Sequence, residues 1–408
     1  MKILVVGLNY APEITSTGKY TGEMAEWFSK QGHHVKVVTT PPYYPQWSVQ
    51  KPYKAYAYIK EELNGVSVYR CPLYVPSKVG TLTRIVHLLS FALSSFPVLL
   101  RMVFWRPDVV INPVPSLFSS PGSALVAKIC GATSVLHVQD FEVEAMLGLG
   151  MAKGGIISKL ARIFERWVLS LFSKVSTISN SMKEKAIEKG IPRGDVIFFP
   201  NWSDIAHFQK EKDPESVRLR FGVPGGKKLV LYSGNIGDKQ GLEQVIDAVE
   251  ALKDEAYFFV IVGEGAGKEN LLNLAEEKNL KNINFCPLQP FELLPSVLFA
   301  ADCHLVVQKK GVADAVLPSK LTNILAVGGN AVITAEEETE LGVICRTNKG
   351  IAELVEPECL TALIDGIKSC CAKQKPNQVA IDYAKNNIDK NSVLARFESD
   401  IVNIRQGA

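Results

Sequence analysis

Three loops in the second half of the sequence combine glycines and lysines in spacings suited to anion binding. The first, SGNIGDKQG, follows an apolar strand-length run and contains Gly234, Asn235 and Lys239. The second, VGEGAG, ends another apolar run with Gly263 and Gly265. Glycine lets the backbone turn sharply and approach a ligand closely, and a lysine amine is a mobile charge suited to phosphate. These loops predict an anion site at neighbouring strand ends.

The third loop, in DAVLPSKLTNILAVGG, places Pro318 and Ser319 at the predicted start of a helix, with Lys320 in its first turn. The free amides of a first turn and the positive end of the helix dipole favour an anion, and Ser319 is expected to cap the helix. A capped helix with a solvated lysine is the alternative. Three such loops in succession favour the anion site.

A separate group of polar residues ends a predicted strand in the first half, in SVLHVQDFEVEAMLGLG. Asp140, followed by Glu142, is suited to hold hydroxyl groups or to act as a base. His137 lies inside the strand and is predicted to be a core residue. The loop PPYYPQW, residues 41–47, supplies aromatic rings that stack on a sugar ring, meet lipid headgroups or pack on their own domain. We find no zinc motif and no D-x-D run that chelates a metal.

The elements that position these residues alternate between strands and helices. Strands are predicted at 2–6, 35–39, 109–111, 134–138 and 175–178, and the alternation restarts after a turn-rich stretch at Pro200 and Asn201 with strands at 229–233, 257–262, 283–285, 303–307 and 330–334. Such βαβ alternation predicts parallel sheets. The chain is therefore expected to form two tandem Rossmann-like, doubly wound α/β domains that face a cleft. The expected bounds are 1–200, 201–385 and a C-terminal helix, 386–408, that packs back on the N-terminal domain.

Charge is distributed unevenly along the 408 residues. Residues 1–200 contain 22 basic and 13 acidic side chains, whereas the remainder contains 23 and 29. Between Glu62 and Asp108 there is no acidic residue, and sixteen uncharged residues lie between Arg84 and Arg101. This run falls short of the ~20 residues of a bilayer crossing. It predicts either an interfacial helix on anionic lipid or a buried helix.

Cysteine use and the first residues bear on location. The eight cysteines include no C-x-x-C pair, which favours reduced thiols rather than a metal site. The run KILVV is typical of a strand rather than of a signal peptide. We therefore expect a cytoplasmic protein that associates peripherally with the inner membrane.

These motifs together resemble the retaining glycosyltransferases of family 4, which have the two-domain B-type fold. The resemblance is carried by SGNIGDKQG, VGEGAG, FCPLQPFELLPSVLFAADCHLVV and LPSKLTNILAVGGNAVI, with PNWSD similar to the crossing between domains. More narrowly, LNYAPEITSTGKYTGEMAEW, TTPPYYPQW and QDFEVEAMLGLG resemble the colanic-acid glycosyltransferases and L-fucosamine transferases of surface-polysaccharide clusters. The similarity covers essentially the whole chain.

The resemblance implies that the C-terminal domain binds a nucleotide-sugar, linked to UDP or GDP. Lys239 matches the lysine of the family's diphosphate site, while Asn235 stands where a basic residue is common. Lys320 is then expected to share in neutralising the phosphates. Other matching positions are Gly18 and Lys19 near the donor phosphates, Gly263, Gly265 and Leu288 around the base, and the helix start at Pro318, Ser319 and Leu321.

The sequence departs from the family at a pair of glutamates eight positions apart. The second falls on Asn323, which retains the capacity to hydrogen-bond a ribose hydroxyl. The first falls on Ala315, beside Asp314, which is expected to take over contact with the sugar. No cofactor or metal is implied as a requirement, because lysines and helix amides stabilise the leaving diphosphate.

The function implied is transfer of a fucose-type sugar to a polyprenyl-diphosphate-linked glycan in O-antigen or exopolysaccharide biosynthesis, with retention at the anomeric carbon. Lys239, Lys320 and Asp140 are the expected catalytic residues. Two alternatives stay open at this point: a nucleotide-sugar epimerase of the same fold, and a non-catalytic partner that binds nucleotide-sugar. No nucleic-acid-binding motif is present.

Overall fold

Parallel β-sheets form the centre of both halves of the chain. The computed structural model describes residues 1–13, 16–78, 80–143, 155–310 and 318–406. By their internal contacts the residues divide into two compact units, Met1–Phe199 with Leu394–Ala408, and Pro200–Val393. Each unit is an α/β structure, as the alternation of apolar runs and amphipathic helices predicts.

The sheet of the first unit has the strand order β3-β4-β2-β1-β5-β6-β7-β8. Neighbours pair in parallel except β3 and β4, which form an antiparallel hairpin. The hairpin was not predicted, because IKEEL lacks the apolar residues that mark a buried strand. The strands are β1 Lys2–Val6, β2 His34–Thr39, β3 Ile59–Leu63, β4 Val66–Arg70, β5 Val109–Val114, β6 Thr133–Val138, β7 Lys174–Thr177 and β8 Val196–Phe198.

The described helices of this unit connect the strands. They are α1 Ser16–Lys30, α2 Thr81–Trp105, α3 Ser120–Cys130, α4 Ile156–Ser170 and α5 Asn180–Glu188. The connections through α2, α3, α4 and α5 all step along the sheet in one direction, whereas α1 steps in the other. Because βαβ crossovers are right-handed, α2 to α5 lie on one face of the sheet and α1 lies on the opposite face.

Helix α2 is longer than the uncharged run on which the prediction rested. It has 25 residues and includes Pro97. By length and apolar composition it could cross a membrane, but core helices of soluble proteins share both features. One of its faces, including Leu88, Phe91 and Leu99, is buried in the core beside Leu4 of β1. The helix is therefore an integral part of the first unit.

The second unit has a six-stranded sheet in the order β11-β10-β9-β12-β13-β14, with every neighbouring pair parallel. Apolar strands covered on both faces account for the two core clusters on either side of this sheet. The strands are β9 Lys228–Ser233, β10 Tyr257–Val262, β11 Ile283–Cys286, β12 Cys303–Val306, β13 Ala331–Thr334 and β14 Glu353–Val355.

The described helices of the second unit are α6 Ile205–Phe208, α7 Pro214–Arg220, α8 Glu243–Ala251, α9 Lys268–Glu277, α10 Leu294–Ala300, α11 Ser319–Val327, α12 Glu340–Thr347, α13 Leu360–Ala372 and α14 Gln378–Tyr383. The carboxyl ends of β9 and β10 and the start of α11 gather at one edge of the sheet. This edge carries the loops that the sequence analysis singled out.

The C-terminal helix, α15 Lys390–Gln406, begins in the second unit and ends in the first. At its beginning, Lys390 donates to the Asp204 carboxylate. Further along, the ring of Phe397 stacks on Phe199 with centroids 3.8 Å apart. Arg405 near its end is paired with Asp108 at 2.9 Å.

Candidate functional site

The loops after β9 and β10 are locked to each other by backbone hydrogen bonds. The Ile236 amide donates to the Glu264 carbonyl at 2.9 Å, and the Gly267 amide donates to the Ile236 carbonyl at 3.0 Å. A Cβ at Gly263 would lie 2.0 Å from the Gly234 carbonyl oxygen, and one at Gly265 would lie 2.2 Å from that of Ile236. Close packing of one loop on the other therefore accounts for both glycines.

Lys320 places a positive charge beside the first of these loops. Its Nζ lies 4.3 Å from the centroid of the Tyr232 ring, and a Cβ at Gly234 would lie 3.8 Å from the same Nζ. Although the residue as a whole is only half-buried, its shielding from water lowers the pKa of the amine to about 8. Among the described residues the amine has no hydrogen bond and no ion pair. A shielded cation without an acidic partner is suited to an anionic ligand.

The start of α11 adds backbone donors beside this lysine. Pro318 occupies the N-cap position with no side-chain cap, so the expectation that Ser319 caps the helix was wrong. Ser319 is instead the first helical residue and is exposed. The Leu321 amide already donates to the Pro318 carbonyl at 2.8 Å, and the Leu321 side chain is buried in the core. The uncapped first turn thus offers the amides of Ser319 and Lys320 to a ligand.

Lys239 lies in the same loop region but in a different environment. It is exposed on a short turn, Asp238–Gln240. The turn is fixed because Lys309 donates its amide to the Lys239 carbonyl at 3.0 Å and its amine to Asp238 at 2.6 Å. Asn235 is also exposed, and its carbonyl accepts a hydrogen bond from the Tyr232 hydroxyl at 2.5 Å. Lys239 is therefore a mobile surface charge on a rigid turn.

The remaining residues that were predicted to contact a nucleotide-sugar are Leu288, Asn323 and Asp314. Leu288 follows β11 and is 60% exposed. The side-chain oxygen of Asn323 accepts a hydrogen bond from Ser203 at 3.0 Å, which orients the side-chain amide and leaves its nitrogen as a donor for a ribose hydroxyl. Asp314 lies outside the described residues, and so does Ala315. Within the described part of the chain, no cluster of His, Cys, Asp or Glu is arranged to hold a metal ion.

A pocket of about 260 Å³ lies in the first unit, at the carboxyl ends of its central strands. Its lining combines aromatic rings, two carboxylates and one guanidinium: Tyr43, Tyr44, Trp47, Asp140, Glu142 and Arg84 are among the lining residues. Among the described residues, the Arg84 guanidinium has no hydrogen bond or ion pair. Aromatic faces beside carboxylates and a cation are suited to a sugar that carries a negative group.

The two carboxylates of this pocket differ in their exposure to solvent. Asp140, the predicted catalytic residue, is exposed, whereas Glu142 is buried and accepts a hydrogen bond from the Leu117 amide at 3.1 Å. Burial raises the pKa of Glu142 to about 7. A carboxyl group that titrates near neutrality is suited to proton transfer. The residue pattern predicts both carboxylates but favours Asp140, because burial after a strand end is not visible in the sequence.

The aromatic loop is held in place by Glu13, which the sequence analysis did not identify. Its buried carboxylate accepts hydrogen bonds from the amides of Tyr43 and Tyr44, both at 2.9 Å, and burial raises its pKa. A Cβ at Gly18 would lie 2.9 Å from this carboxylate. Gly18 therefore allows helix α1 to pack closely against Glu13. The signal available in the sequence was an acidic residue inside an otherwise uncharged loop.

Three other residues that the sequence singled out, Tyr43, Lys19 and His137, contact neighbours within the first unit. Tyr43 is buried, with its ring centroid 4.9 Å from that of His87, so this part of the aromatic loop packs on its own domain. Lys19 pairs with Glu23 at 3.9 Å. His137 is a core residue, as predicted: burial lowers its pKa to about 3.

Comparisons with known proteins match both units. The Glycosyl transferase 4-like domain family matches residues 16–202, and the Glycosyl transferases group 1 family matches residues 215–387. An Escherichia coli K12 protein described as a colanic acid biosynthesis glycosyl transferase, WcaI, is 56% identical over 406 residues, which cover 98% of this chain and 100% of the relative.

Solved structures share the fold across the whole chain. Sucrose-phosphate synthase from Thermosynechococcus elongatus is similar with a TM-score of 0.76 and 14% identity, covering 100% of both chains. HepE from Anabaena, solved in complex with UDP-glucose, is similar with a TM-score of 0.68 and 14% identity, covering 99% of this chain and 100% of the other. At these identities the likeness establishes the fold alone.

Proposed function

This chain belongs to family 4 of the glycosyltransferases, with the two-domain B-type fold, and we propose that it transfers a sugar from a nucleotide-sugar to a lipid-linked glycan. The family and fold inferred from the sequence motifs are thereby confirmed. The proposal concerns the donor, the acceptor, the stereochemistry and the place of action.

The observation that carries the proposal is the shielded amine of Lys320, which has no hydrogen bond or ion pair among the described residues and lies beside Gly234 and the uncapped start of α11. A diphosphate seated there would receive the lysine charge and the first-turn amides together. Lys239, exposed on its turn, can reach a ligand at the same edge. These groups stabilise negative charge as it grows on the departing diphosphate, and each such donor is worth several kcal/mol in a shielded site.

The donor is a UDP- or GDP-linked sugar of the fucose type. HepE was solved with UDP-glucose, which supports a nucleotide-sugar as the ligand of this edge. We place the base near Leu288 and the loop of Gly263 and Gly265. We assign the ribose to the Asn323 amide and the sugar to Asp314.

The acceptor is a sugar carried by a polyprenyl diphosphate, and it occupies the pocket of the first unit. Trp47 and Tyr44 provide ring faces for the sugar, and Arg84 provides a positive charge for a phosphate group. Asp140 and Glu142 bind acceptor hydroxyls. Because WcaI is described as acting in colanic acid biosynthesis, we place the product in an exopolysaccharide or O-antigen, made at the cytoplasmic face of the inner membrane.

The reaction proceeds with retention and without a protein nucleophile. The acceptor oxygen bonds to the anomeric carbon as the bond from that carbon to the diphosphate breaks. The hydroxyl proton passes to the departing diphosphate oxygen. The contribution of the protein is electrostatic stabilisation and orientation of the two substrates.

A transfer assay tests the proposal. A panel of UDP- and GDP-linked sugars is offered with a polyprenyl-diphosphate sugar, product masses identify the donor, and NMR of the product gives the anomeric configuration. We expect one fucose-type donor to be transferred with retention. Interconversion of the nucleotide-sugar without transfer would identify an epimerase, and binding without turnover would identify a non-catalytic partner. Either result would overturn the proposal.

A further inference from the structure

Helix α2 presents an unbroken apolar stripe on the side opposite its buried face. The stripe residues recur every three or four positions, which aligns them on one face of a helix. Leu93 is 75% exposed and Phe104 is 89% exposed. From Leu82 to Phe104 the stripe extends about 33 Å along the helix. Its members are Leu82, Val86, Leu89, Leu93, Phe96, Leu100 and Phe104.

Helix α4 carries a second stripe of the same kind. Its exposed apolar residues are Ile156, Leu160, Ile163, Trp167 and, just after the helix, Leu171. The exposed charges among them are all basic: Lys159, Arg162 and Arg166. The single acidic residue of α4, Glu165, is buried and paired with Lys189 at 2.6 Å. The outward face of α4 is therefore both apolar and positively charged.

The two stripes belong to one layer of the first unit, because α2, α3 and α4 cover the same face of the sheet. Gly122 of α3 packs closely on α2, since a Cβ there would lie 3.0 Å from Leu99. Phe118, just before α3, contacts Phe164 of α4 with ring centroids 5.4 Å apart. Leu125 and Ile129 of α3 are also exposed, so apolar residues extend across all three helices.

Among the described residues, the exposed charged side chains of α2, α3 and α4 are all basic, whereas α5, the fourth helix on this face of the sheet, also exposes Glu184 and Glu188. Helices α2 and α3 contain no acidic residue, and their exposed basic residues include Arg101 and Lys128, with Arg106 directly after the end of α2. Single exposed apolar residues are ordinary, but a contiguous apolar area of this size marks an interaction surface. An apolar area whose own exposed charges, among the described residues of α2, α3 and α4, are all basic matches the acyl and headgroup regions of an anionic bilayer.

We propose that the outward faces of α2, α3 and α4, named here the three-helix surface, lie in the plane of the membrane and bind anionic lipid. The inference deepens the proposed function by assigning a surface and a lipid chemistry to its membrane association. The helices lie in the interface rather than cross it, because the opposite face of α2 is buried in the core of the unit. The first turns of α2 carry Arg84 to the acceptor pocket, so the same helix connects lipid and pocket.

Vesicle co-sedimentation tests the three-helix surface, with phosphatidylcholine vesicles compared with mixtures containing phosphatidylglycerol. We expect the wild-type protein to bind the anionic vesicles and to be released from them by alkaline carbonate. Two double variants, Leu160→Ser with Trp167→Ser and Leu93→Ser with Phe104→Ser, should each bind at least tenfold more weakly. Leu219→Ser, at a position 83% exposed in the second unit, is the matched control and should bind as the wild type does.

Charge variants separate lipid from a protein partner. Arg162→Gln with Arg166→Gln should weaken binding to anionic vesicles about thirtyfold, since each basic residue near such a surface is worth ~1 kcal/mol. Arg220→Gln, an exposed arginine of the second unit, is the control. Absence of vesicle binding, serine pairs that bind normally, resistance to carbonate, or concentration-dependent dimers that the serine pairs abolish would each overturn the inference.

Turnover with a soluble short-chain acceptor distinguishes this inference from the proposed function. The serine pairs should retain that turnover within about twofold, because they touch neither the anion site nor the acceptor pocket. A wild-type protein that binds anionic vesicles but transfers no sugar would overturn the proposed function and leave the three-helix surface supported.

Discussion

Replacing Lys320 with methionine should change activity and stability in opposite directions. The shielded amine has a pKa of about 8 instead of its ordinary 10.5. Because one pKa unit corresponds to 1.36 kcal/mol, the folded protein carries a penalty of about 3 kcal/mol for keeping this amine charged at pH 7. Methionine has a similar length and no charge. Lys320→Met should therefore raise the free energy of unfolding of the ligand-free protein by as much as about 3 kcal/mol.

Turnover should fall in the same variant. Removing one donor that stabilises developing negative charge costs about 100- to 1,000-fold in kcat. We expect a loss in this range with the best donor of the panel, measured under saturating acceptor. The matched control is Lys253→Met, which removes an exposed lysine of the same unit and should leave both quantities within experimental error.

Thermal unfolding and initial rates on the same preparations provide the test. For a domain of this size, each kcal/mol shifts the Tm by about 2–4 °C. A lower Tm together with lower activity would indicate that Lys320 is a structural residue. Unchanged activity would indicate that the diphosphate binds elsewhere. Either result would refute the argument from the unpartnered charge.

Three further predictions follow from titration and packing. The kcat/KM should fall above pH 8 as the Lys320 amine deprotonates, and Lys320→Arg should move this limb to higher pH if activity survives; a limb unchanged in position would contradict the assignment. Burial raises the pKa of Glu142 from 4.5 to about 7, so the ionised carboxylate destabilises the fold progressively between these pH values and fully above pH 7. Glu142→Gln should accordingly stabilise the protein by about 3 kcal/mol more at pH 8 than at pH 4, measured by urea unfolding, and an equal effect at both would refute the shift. Gly265→Ala should lower the free energy of unfolding by several kcal/mol, because the new Cβ would lie 2.2 Å from a carbonyl oxygen and φ is +151°. The control is Gly225→Ala, which has open space around it and should change this free energy by less than about 0.5 kcal/mol. Equal stability of the two variants would contradict the packing argument.

The fold class follows from the residue pattern alone, and so does the edge of the sheet at which we propose the anion site. Apolar runs of strand length alternate with helical patterns in both halves, and this periodicity can be recognised in each segment without knowledge of its tertiary contacts. The carboxyl ends of parallel strands meet at one edge of a sheet. Lys320 and the loop of Gly234 therefore had to come together once β9 and α11 had been located.

The tertiary structure alone decided what these residues contact. The sequence predicts that Gly263 and Gly265 let the backbone approach a ligand, but the neighbouring loop occupies the space beside both glycines. Ser319 read as a cap, but Pro318 takes the cap position. In each case the outcome depends on a neighbour distant in sequence or on the backbone conformation, neither of which a residue pattern encodes.

Burial decided the rest. The pKa values of Glu142 and Lys320 are shifted because their surroundings exclude water, and whether a side chain is enclosed is settled only when separate elements pack around it. The same holds for α2, whose apolar residues all look alike in the sequence. The sheet covers one of its faces and leaves the other exposed, because a helix can bury only one stripe against a flat layer.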